Sequence, residues 1–204
     1  MMRLYHNHIG CIVADIDGKK MLVDTATTRT FYDESQGVLV SGLSRSLGLS
    51  LDGVLGMDGL NGQVLSLSRN TMHINGTPPD LAGIPVSYVS GVPCVDIKIN
   101  EVPCRAAIKT SAGVTYITEE LLSRDRHSAF VDDLHPLYGN IRVNKFVNYF
   151  SIANRSFFAG AAELPCELSL FGAGAVDAII GMDLLKRFDL IMDFSLNRLY
   201  LISN

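Results

Sequence analysis

The chain has 204 residues, of which 48% are apolar and 19% charged, and its formal net charge is −4 at pH 7. This length suits one substantial domain or two small lobes that share a core, and the composition excludes an intrinsically disordered chain. No run of Lys or Arg marks a surface for nucleic acid or anionic lipid, so we expect neither partner. No apolar stretch reaches the length of a membrane span, and the first apolar run is too short for a signal peptide. We therefore expect a cytoplasmic protein.

A β-hairpin is the first predicted element. Residues 9–16 and 21–23 form apolar, β-branched runs, and Asp17-Gly18 between them favours a two-residue hairpin turn. The second run leads directly into the polar motif Asp24-Thr25-Ala26.

The rest of the first half predicts a short strand, a short helix and a second hairpin. Val54 and Leu55 form an apolar strand that ends at Gly56, and residues 57–63 have a helix-like pattern. Residues 64–74 then predict a hairpin that turns at Arg69-Asn70.

The second half repeats this order of elements, which indicates an internal duplication. Its elements are a hairpin over residues 92–108 turning at Asn100-Glu101, the motif Lys109-Thr110-Ser111, a strand Ile179-Ile180 ending at Gly181, a helix-like stretch at 182–188 and a hairpin at 190–202 turning at Leu196-Asn197. The two copies differ at the position that follows the first hairpin, which is Asp24 in one and Lys109 in the other.

The two copies also differ in length. Gly56 lies 32 positions after Asp24, whereas Gly181 lies 72 positions after Lys109. The longer copy contains a predicted helix at 118–126, which follows Thr118 as a candidate cap, and a strand-rich stretch at 141–164.

The sequence predicts two lobes joined by a linker. Glycine and proline are frequent in residues 75–91, which predicts a connection between two lobes. We expect an N-terminal lobe at residues 1–76, a linker at 77–91 and a C-terminal lobe at 92–204.

The order of hairpin, Asp-Thr-small motif, apolar strand ending in Gly, and short helix resembles the retropepsin-like aspartic peptidases. The resemblance covers nearly the whole chain when it is taken as two fused copies. It implies a mostly β fold with few short helices, in which two pepsin- or retropepsin-like closed β-barrel lobes form a single-chain pseudo-dimer around a cleft. It also implies that Thr25 and Thr110 brace the two loops against each other, and that Ala26 and Ser111 stand where the family has glycine.

The family hydrolyses peptide bonds with two carboxylates that share a proton, one from each lobe. By the resemblance, Asp24 is the surviving member of this pair, and Lys109 replaces the other. We expect an ion pair between Asp24 and Lys109, in which the carboxylate is a poor general base. The sequence therefore predicts a degenerate peptidase whose cleft binds a peptide or other extended ligand without cutting it.

Two other interpretations remain open from the residues. The chain is an active hydrolase if Asp24 works with Lys109, or with a second Asp24 in a homodimer. It is a scaffold or assembly protein if the cleft has no function. A monomer or weak dimer is compatible with each.

The remaining polar residues favour structural roles. Asp58 and Asp183 are predicted to be caps or first-turn acids of short helices. The histidines (His6, His8, His73, His127 and His135) have no metal-ligand spacing, so we expect no metal and no cofactor. The four cysteines (Cys11, Cys94, Cys104 and Cys166) are expected to be buried free thiols. Cys94 and Cys104 flank a predicted hairpin and are the one candidate pair for a disulfide. The aromatic residues Phe146, Tyr149, Phe150, Phe157 and Phe158 predict hairpin packing.

Overall fold

The structure, a computed structural model, describes residues 2–5, 10–32, 40–68, 71–135, 139–164 and 176–203. The described chain is mostly β, as predicted. The first part contains β1 (Met2–Tyr5), β2 (Val13–Ile16), β3 (Lys19–Val23), β4 (Phe31–Tyr32), α1 (Val40–Leu47), β5 (Gly53–Leu55), α2 (Met57–Leu60), β6 (Val64–Leu67) and β7 (Thr71–Ile74).

The second part has more and longer strands. It contains β8 (Ile84–Pro85), β9 (Ser87–Val89), β10 (Val92–Ile99), β11 (Val102–Ile108), β12 (Tyr116–Ile117), β13 (His127–His135), β14 (Gly139–Ile152), β15 (Arg155–Glu163), β16 (Ala178–Ile180), α3 (Met182–Leu185), β17 (Phe188–Asp193) and β18 (Arg198–Ser203).

Both early hairpins form as predicted, because their turns are encoded locally. β2 pairs with β3, and Asp17 and Gly18 have φ of 52° and 77°. β10 pairs with β11, and Asn100 and Glu101 have φ of 49° and 68°. Positive φ at both central residues is the conformation that joins two strands with the right-handed twist of a sheet.

A ten-stranded sheet combines strands from both ends of the chain, in the order β4-β5-β3-β2-β1-β7-β6-β17-β18-β8. Within this sheet β6 pairs with β17, which matches Leu65 with Met192 and Leu67 with Leu190. Leu65 and Leu190 lie nine residues after Gly56 and Gly181 respectively, so the pairing relates equivalent strands of the two halves. The closing hairpins are thus joined into one continuous sheet.

The second sheet has eight strands in the order β13-β14-β15-β12-β16-β11-β10-β9. β14 also pairs with β10, so this run of strands bends back on itself. A corresponding closure is not found among the described strands of the first half, and closed barrels in both lobes remain a prediction.

Three local predictions differ from the structure. The predicted helix at 118–126 is reduced to one 3₁₀ turn, Glu119–Leu121, and Thr118 makes no capping hydrogen bond with its side chain. The helix-like stretches at 57–63 and 182–188 form helices only at Met57–Leu60 and Met182–Leu185. The predicted linker at 77–91 contains β8 and β9, which pair with β18 and β10. The predicted turn at residues 69–70 lies outside the described residues.

One apolar core runs through both halves of the chain. It includes Val23 and Leu65 from the first half and Ile108 and Leu190 from the second, all nearly inaccessible to solvent. The loops that follow β3 and β11 lie directly above this core, because Val23 and Ile108 are the last residues of those strands. The core therefore fixes the positions of both polar motifs.

Candidate functional site

The two polar motifs have the same backbone arrangement. The N–H of Asp24 donates to the carbonyl of Leu55 at 3.0 Å, and the N–H of Lys109 donates to that of Ile180 at 3.0 Å. Each motif then closes a tight turn, because the N–H three residues further on donates back to the carbonyl of Asp24 or of Lys109 at 3.2 Å.

Thr25 and Thr110 connect the two loops through four reciprocal hydrogen bonds. The N–H of Thr25 donates to Thr110 Oγ1, and the N–H of Thr110 donates to Thr25 Oγ1, both at 3.2 Å. Thr25 Oγ1 donates to the carbonyl of Ile108 at 2.6 Å, and Thr110 Oγ1 donates to that of Val23 at 2.7 Å. Both threonines are 0% exposed, so these bonds are shielded from water. The loops are therefore held at a fixed distance from each other.

The Asp24 carboxylate is held by its own loop. It is 7% exposed, and its two oxygens accept hydrogen bonds from different donors. Oδ1 accepts from the N–H of Ala26 at 2.9 Å, and Oδ2 accepts from Thr27 Oγ1 at 2.7 Å. These donors satisfy the charge of a carboxylate that is largely removed from water.

Lys109 does not form the expected ion pair with Asp24. Among the described residues, no carboxylate oxygen lies within 4.0 Å of Lys109 Nζ, and this nitrogen makes no hydrogen bond. Lys109 is nevertheless only 8% exposed. The prediction was wrong because a fixed position of the two loops does not determine where a long side chain points. The site therefore contains a buried lysine that no protein group in the described ranges neutralises directly.

Ser111 has unsatisfied polar groups beside Lys109. Its Oγ is completely buried and has no hydrogen-bond partner within the described part of the chain. Its N–H also lacks a hydrogen-bond acceptor among the described residues. The equivalent N–H in the first loop, that of Ala26, donates to Asp24. A protonated lysine side chain cannot accept a hydrogen bond. The side chain of Lys109 therefore cannot serve as the acceptor for the N–H of Ser111, as Asp24 does for the N–H of Ala26.

Cys11 belongs to the site but was not singled out from the sequence. Its thiol donates to the carbonyl of Ser111 at 2.8 Å, across 100 residues of chain. Burial raises the pKa of the Cys11 thiol to about 12; the charges of Asp133 and Asp24 add to this effect and that of Lys109 opposes it. No sequence signal gives this contact, because it joins segments that are distant along the chain.

Ala26 and Ser111 fit their loops without backbone strain, although the family has glycine at these positions. Neither residue is among the non-glycine residues with positive φ in the described chain. Ala26 packs against an apolar cluster that contains Val92 and Ala107. The extra Cβ atoms therefore do not force either loop into a strained backbone conformation.

Gly56 and Gly181 are required for close backbone packing. A Cβ on Gly56 would lie 2.6 Å from the carbonyl carbon of Arg29, and one on Gly181 would lie 2.3 Å from the carbonyl oxygen of Val114. Both glycines are the residues that precede a short helix, and neither has a side-chain cap.

Asp58 and Asp183 lie in the first turns of α2 and α3, where an acid was expected, but they do not cap these helices. Each accepts a hydrogen bond from a threonine of the loop that follows the motif in the same half: Asp58 from Thr30 Oγ1 at 2.6 Å, and Asp183 from Thr115 Oγ1 at 2.7 Å. Asp183 also forms an ion pair with Lys145. Both acids therefore stabilise the loops that follow the two motifs in the sequence.

The other candidate residues form neither a metal site nor a disulfide within the described ranges. Within the described ranges there is no group of three or more His, Cys, Asp or Glu that could hold a metal ion, and no helix long and apolar enough to cross a membrane. Cys94 and Cys104 are free thiols, on different rungs of the β10–β11 hairpin. His6, His8 and Cys166 lie outside the described residues.

The aromatic residues of the insert pack across the β14–β15 hairpin, as predicted. Phe150 is opposite Phe157 with ring centroids 6.1 Å apart, and Tyr149 is opposite Phe158 with centroids 5.1 Å apart. Phe150 is fully buried, whereas Phe158 is 62% exposed.

Comparison with known proteins identifies the fold. No protein-family model matches the sequence, and no match was found among curated proteins. The structure is similar to the crystal structure of an aspartic proteinase from Irpex lacteus, with a TM-score of 0.58 and 10% sequence identity, covering 100% of this chain and 97% of the proteinase chain. The chain therefore has the fold of an aspartic proteinase.

Proposed function

We propose that this chain is a degenerate relative of the aspartic peptidases, in which a cleft between two lobes binds an extended peptide without hydrolysing it. The proposal assigns Asp24 and Lys109 to the positions of the two catalytic carboxylates. It takes residues 1–76 and 92–204 as two lobes derived by duplication, connected through 77–91.

The observation that carries the proposal is the reciprocal bonding of Thr25 and Thr110. It joins the Asp24 loop to the Lys109 loop of the same chain through four hydrogen bonds. The repeated order of elements and the symmetric register of β6 with β17 support the same equivalence of the two loops.

Peptide hydrolysis by this fold needs two carboxylates that share one proton, so that one activates water while the other polarises the carbonyl. Lys109 cannot share a proton in this way with Asp24. The carboxyl group of Asp24 is in addition held by two donors of its own loop. A single stable carboxylate is a weak base at neutral pH, which argues against activation of water.

The homodimer alternative is disfavoured by the same bonds. A second Asp24 loop would have to replace the Lys109 loop as the partner of Thr25. This exchange would break hydrogen bonds between groups that are 0% exposed. Buried bonds of this kind are costly to leave unmade.

The experiment combines cleavage and binding on the same protein. A random peptide library is incubated with the wild type between about pH 3 and pH 7, a range that covers the titration of paired carboxylates. We expect peptides to be retained by the immobilised protein and recovered intact. Cleavage that disappears in Asp24→Asn would refute the proposal.

Lys109→Asp tests whether the missing carboxylate alone accounts for the inactivity. We expect no robust cleavage, because among the described residues α1 lies between β4 and β5 of the first half, where the second half has β13, β14 and β15 between β12 and β16. A clear gain of cleavage in this variant would show that the surrounding structure is still competent.

A further inference from the structure

The second loop contains unsatisfied groups that carry positive charge or donate hydrogen bonds. Lys109 Nζ has no acceptor among the described residues, although the side chain is 8% exposed. Ser111 Oγ is completely buried without a partner. Buried polar groups are normally satisfied, so each unsatisfied group requires an explanation.

The first loop shows what such groups bind. There the N–H of Ala26 and the hydroxyl of Thr27 both donate to a carboxylate, which is the side chain of Asp24 itself. The second loop has the same turn, with the N–H of Ser111 in the place of the Ala26 N–H. Replacement of the acid by Lys109 removes the internal carboxylate and adds a cation.

We propose that the second loop is a binding subsite for a carboxylate of the ligand, held by Lys109 Nζ, the N–H of Ser111 and Ser111 Oγ. A carboxylate supplies two acceptor oxygens for these three donors and neutralises the buried ammonium. This subsite rests on the proposed function, because it names the chemistry of the peptide that the cleft would bind.

Access to solvent is compatible with this role. Lys109 Nζ makes no hydrogen bond to the described residues, and the atom is not fully buried. The ammonium therefore retains contact with solvent, whereas the fully buried Ser111 Oγ contacts a ligand only after its side chain rotates toward the ammonium.

Neighbouring charges limit the ligand to a single anionic group at this point. Asp24 and Asp133 are both buried, and Asp133 accepts a hydrogen bond from the N–H of Gly113 in the second loop at 3.3 Å. A dianion would be repelled by them, whereas one carboxylate balances Lys109. The carboxylate can come from the end of a peptide chain or from an Asp or Glu side chain.

The subsite is tested first with acetate as the probe, by an NMR titration of ¹⁵N-serine-labelled protein at constant ionic strength. We expect a saturable shift of the Ser111 amide signal in the wild type and in Lys98→Met, a matched control at an exposed lysine. In Lys109→Met the apparent affinity should fall at least about tenfold, the effect of losing a charged hydrogen bond. An absent shift, or an equal response in Lys109→Met, would overturn the subsite.

Ser111→Ala provides a second variant in which Lys109 is retained, and its acetate titration follows the amide at position 111 in ¹⁵N-alanine-labelled protein. We expect acetate affinity to fall by about fivefold, since one neutral hydrogen bond is lost. An unchanged affinity in this variant would show that acetate binds to the lysine elsewhere than in the loop.

The source of the carboxylate is tested with four peptide libraries that have a free or an amidated C-terminus, each with and without Asp and Glu. Dependence on the free terminus identifies the chain end, and dependence on Asp and Glu identifies a side chain. If peptides bind equally in all four libraries, the subsite is refuted while the proposed function stands. If acetate binds as expected but no library does, the proposed peptide ligand is refuted and the subsite stands.

Discussion

Thr25→Val should destabilise the protein by an amount that follows from the bonds of one hydroxyl. Valine has nearly the same shape as threonine, so the substitution mainly removes Oγ1. The carbonyl of Ile108 then loses a donor at 2.6 Å, and the N–H of Thr110 loses its acceptor at 3.2 Å. An unsatisfied buried group costs about 1–3 kcal/mol, so we expect the free energy of unfolding to fall by about 2–5 kcal/mol.

Urea denaturation measures this change, with Thr77→Val as the control at an exposed threonine. The control should change the free energy of unfolding by less than about 0.5 kcal/mol. Thr25→Ser, which keeps the hydroxyl, should recover most of the loss. The combined variant Thr25→Val/Thr110→Val should cost less than the sum of the single changes, because both act on one contact between the loops. A cost for Thr25→Val no larger than that of Thr77→Val would refute the interpretation that these bonds hold the loops together.

Three further predictions concern the surroundings of the site. Gly181→Ala should lower the free energy of unfolding by at least about 1–3 kcal/mol, because the new Cβ would lie 2.3 Å from the Val114 oxygen. Gly62→Ala, at φ +71° in open space, should cost only about 1 kcal/mol in the same urea experiment, and equal costs would contradict the packing argument. In a Cys166→Ser background, Cys11 and Cys104 should resist a thiol reagent at about pH 8 until the protein unfolds, because burial raises the pKa of both thiols to about 12. Rapid labelling of the folded protein would count against this. Lys109→Met should raise the free energy of unfolding by about 1–3 kcal/mol, since an apolar side chain replaces a buried cation without a partner; a lower thermal midpoint than the wild type would disprove it.

The parts of the fold that were predicted correctly depend on neighbouring residues. The turns at Asp17-Gly18 and Asn100-Glu101 are determined by the conformational preferences of the residues within them. The parts that were missed depend on tertiary packing. Helix α1 contains Gly and Ser, which are weak helix formers, yet it buries Val40, Leu43 and Leu47. The spacing of these three apolar residues along one face is the sequence signal for this helix, but the local Gly and Ser content argues against it.

The candidate site was predicted at the level of the backbone but not of the side chains. The order of the motifs correctly indicated that Thr25 and Thr110 meet. It did not indicate that Cys11 contacts Ser111, or that Lys109 and Asp24 remain apart. A repeated motif fixes where the main chain passes, whereas the direction of a long side chain depends on all the elements around it.

Stability and function impose different requirements on this site. The four bonds of Thr25 and Thr110 hold the loops together without any contribution from the side chains of Asp24 and Lys109. The position of Lys109 is therefore free to accept an apolar residue, which would avoid the cost of burying a cation. We expect a lysine at this position to lower stability, since it makes no direct ion pair within the described chain. The proposed subsite would compensate for that cost, because a carboxylate of a bound ligand has the charge and the acceptor oxygens that match the ammonium.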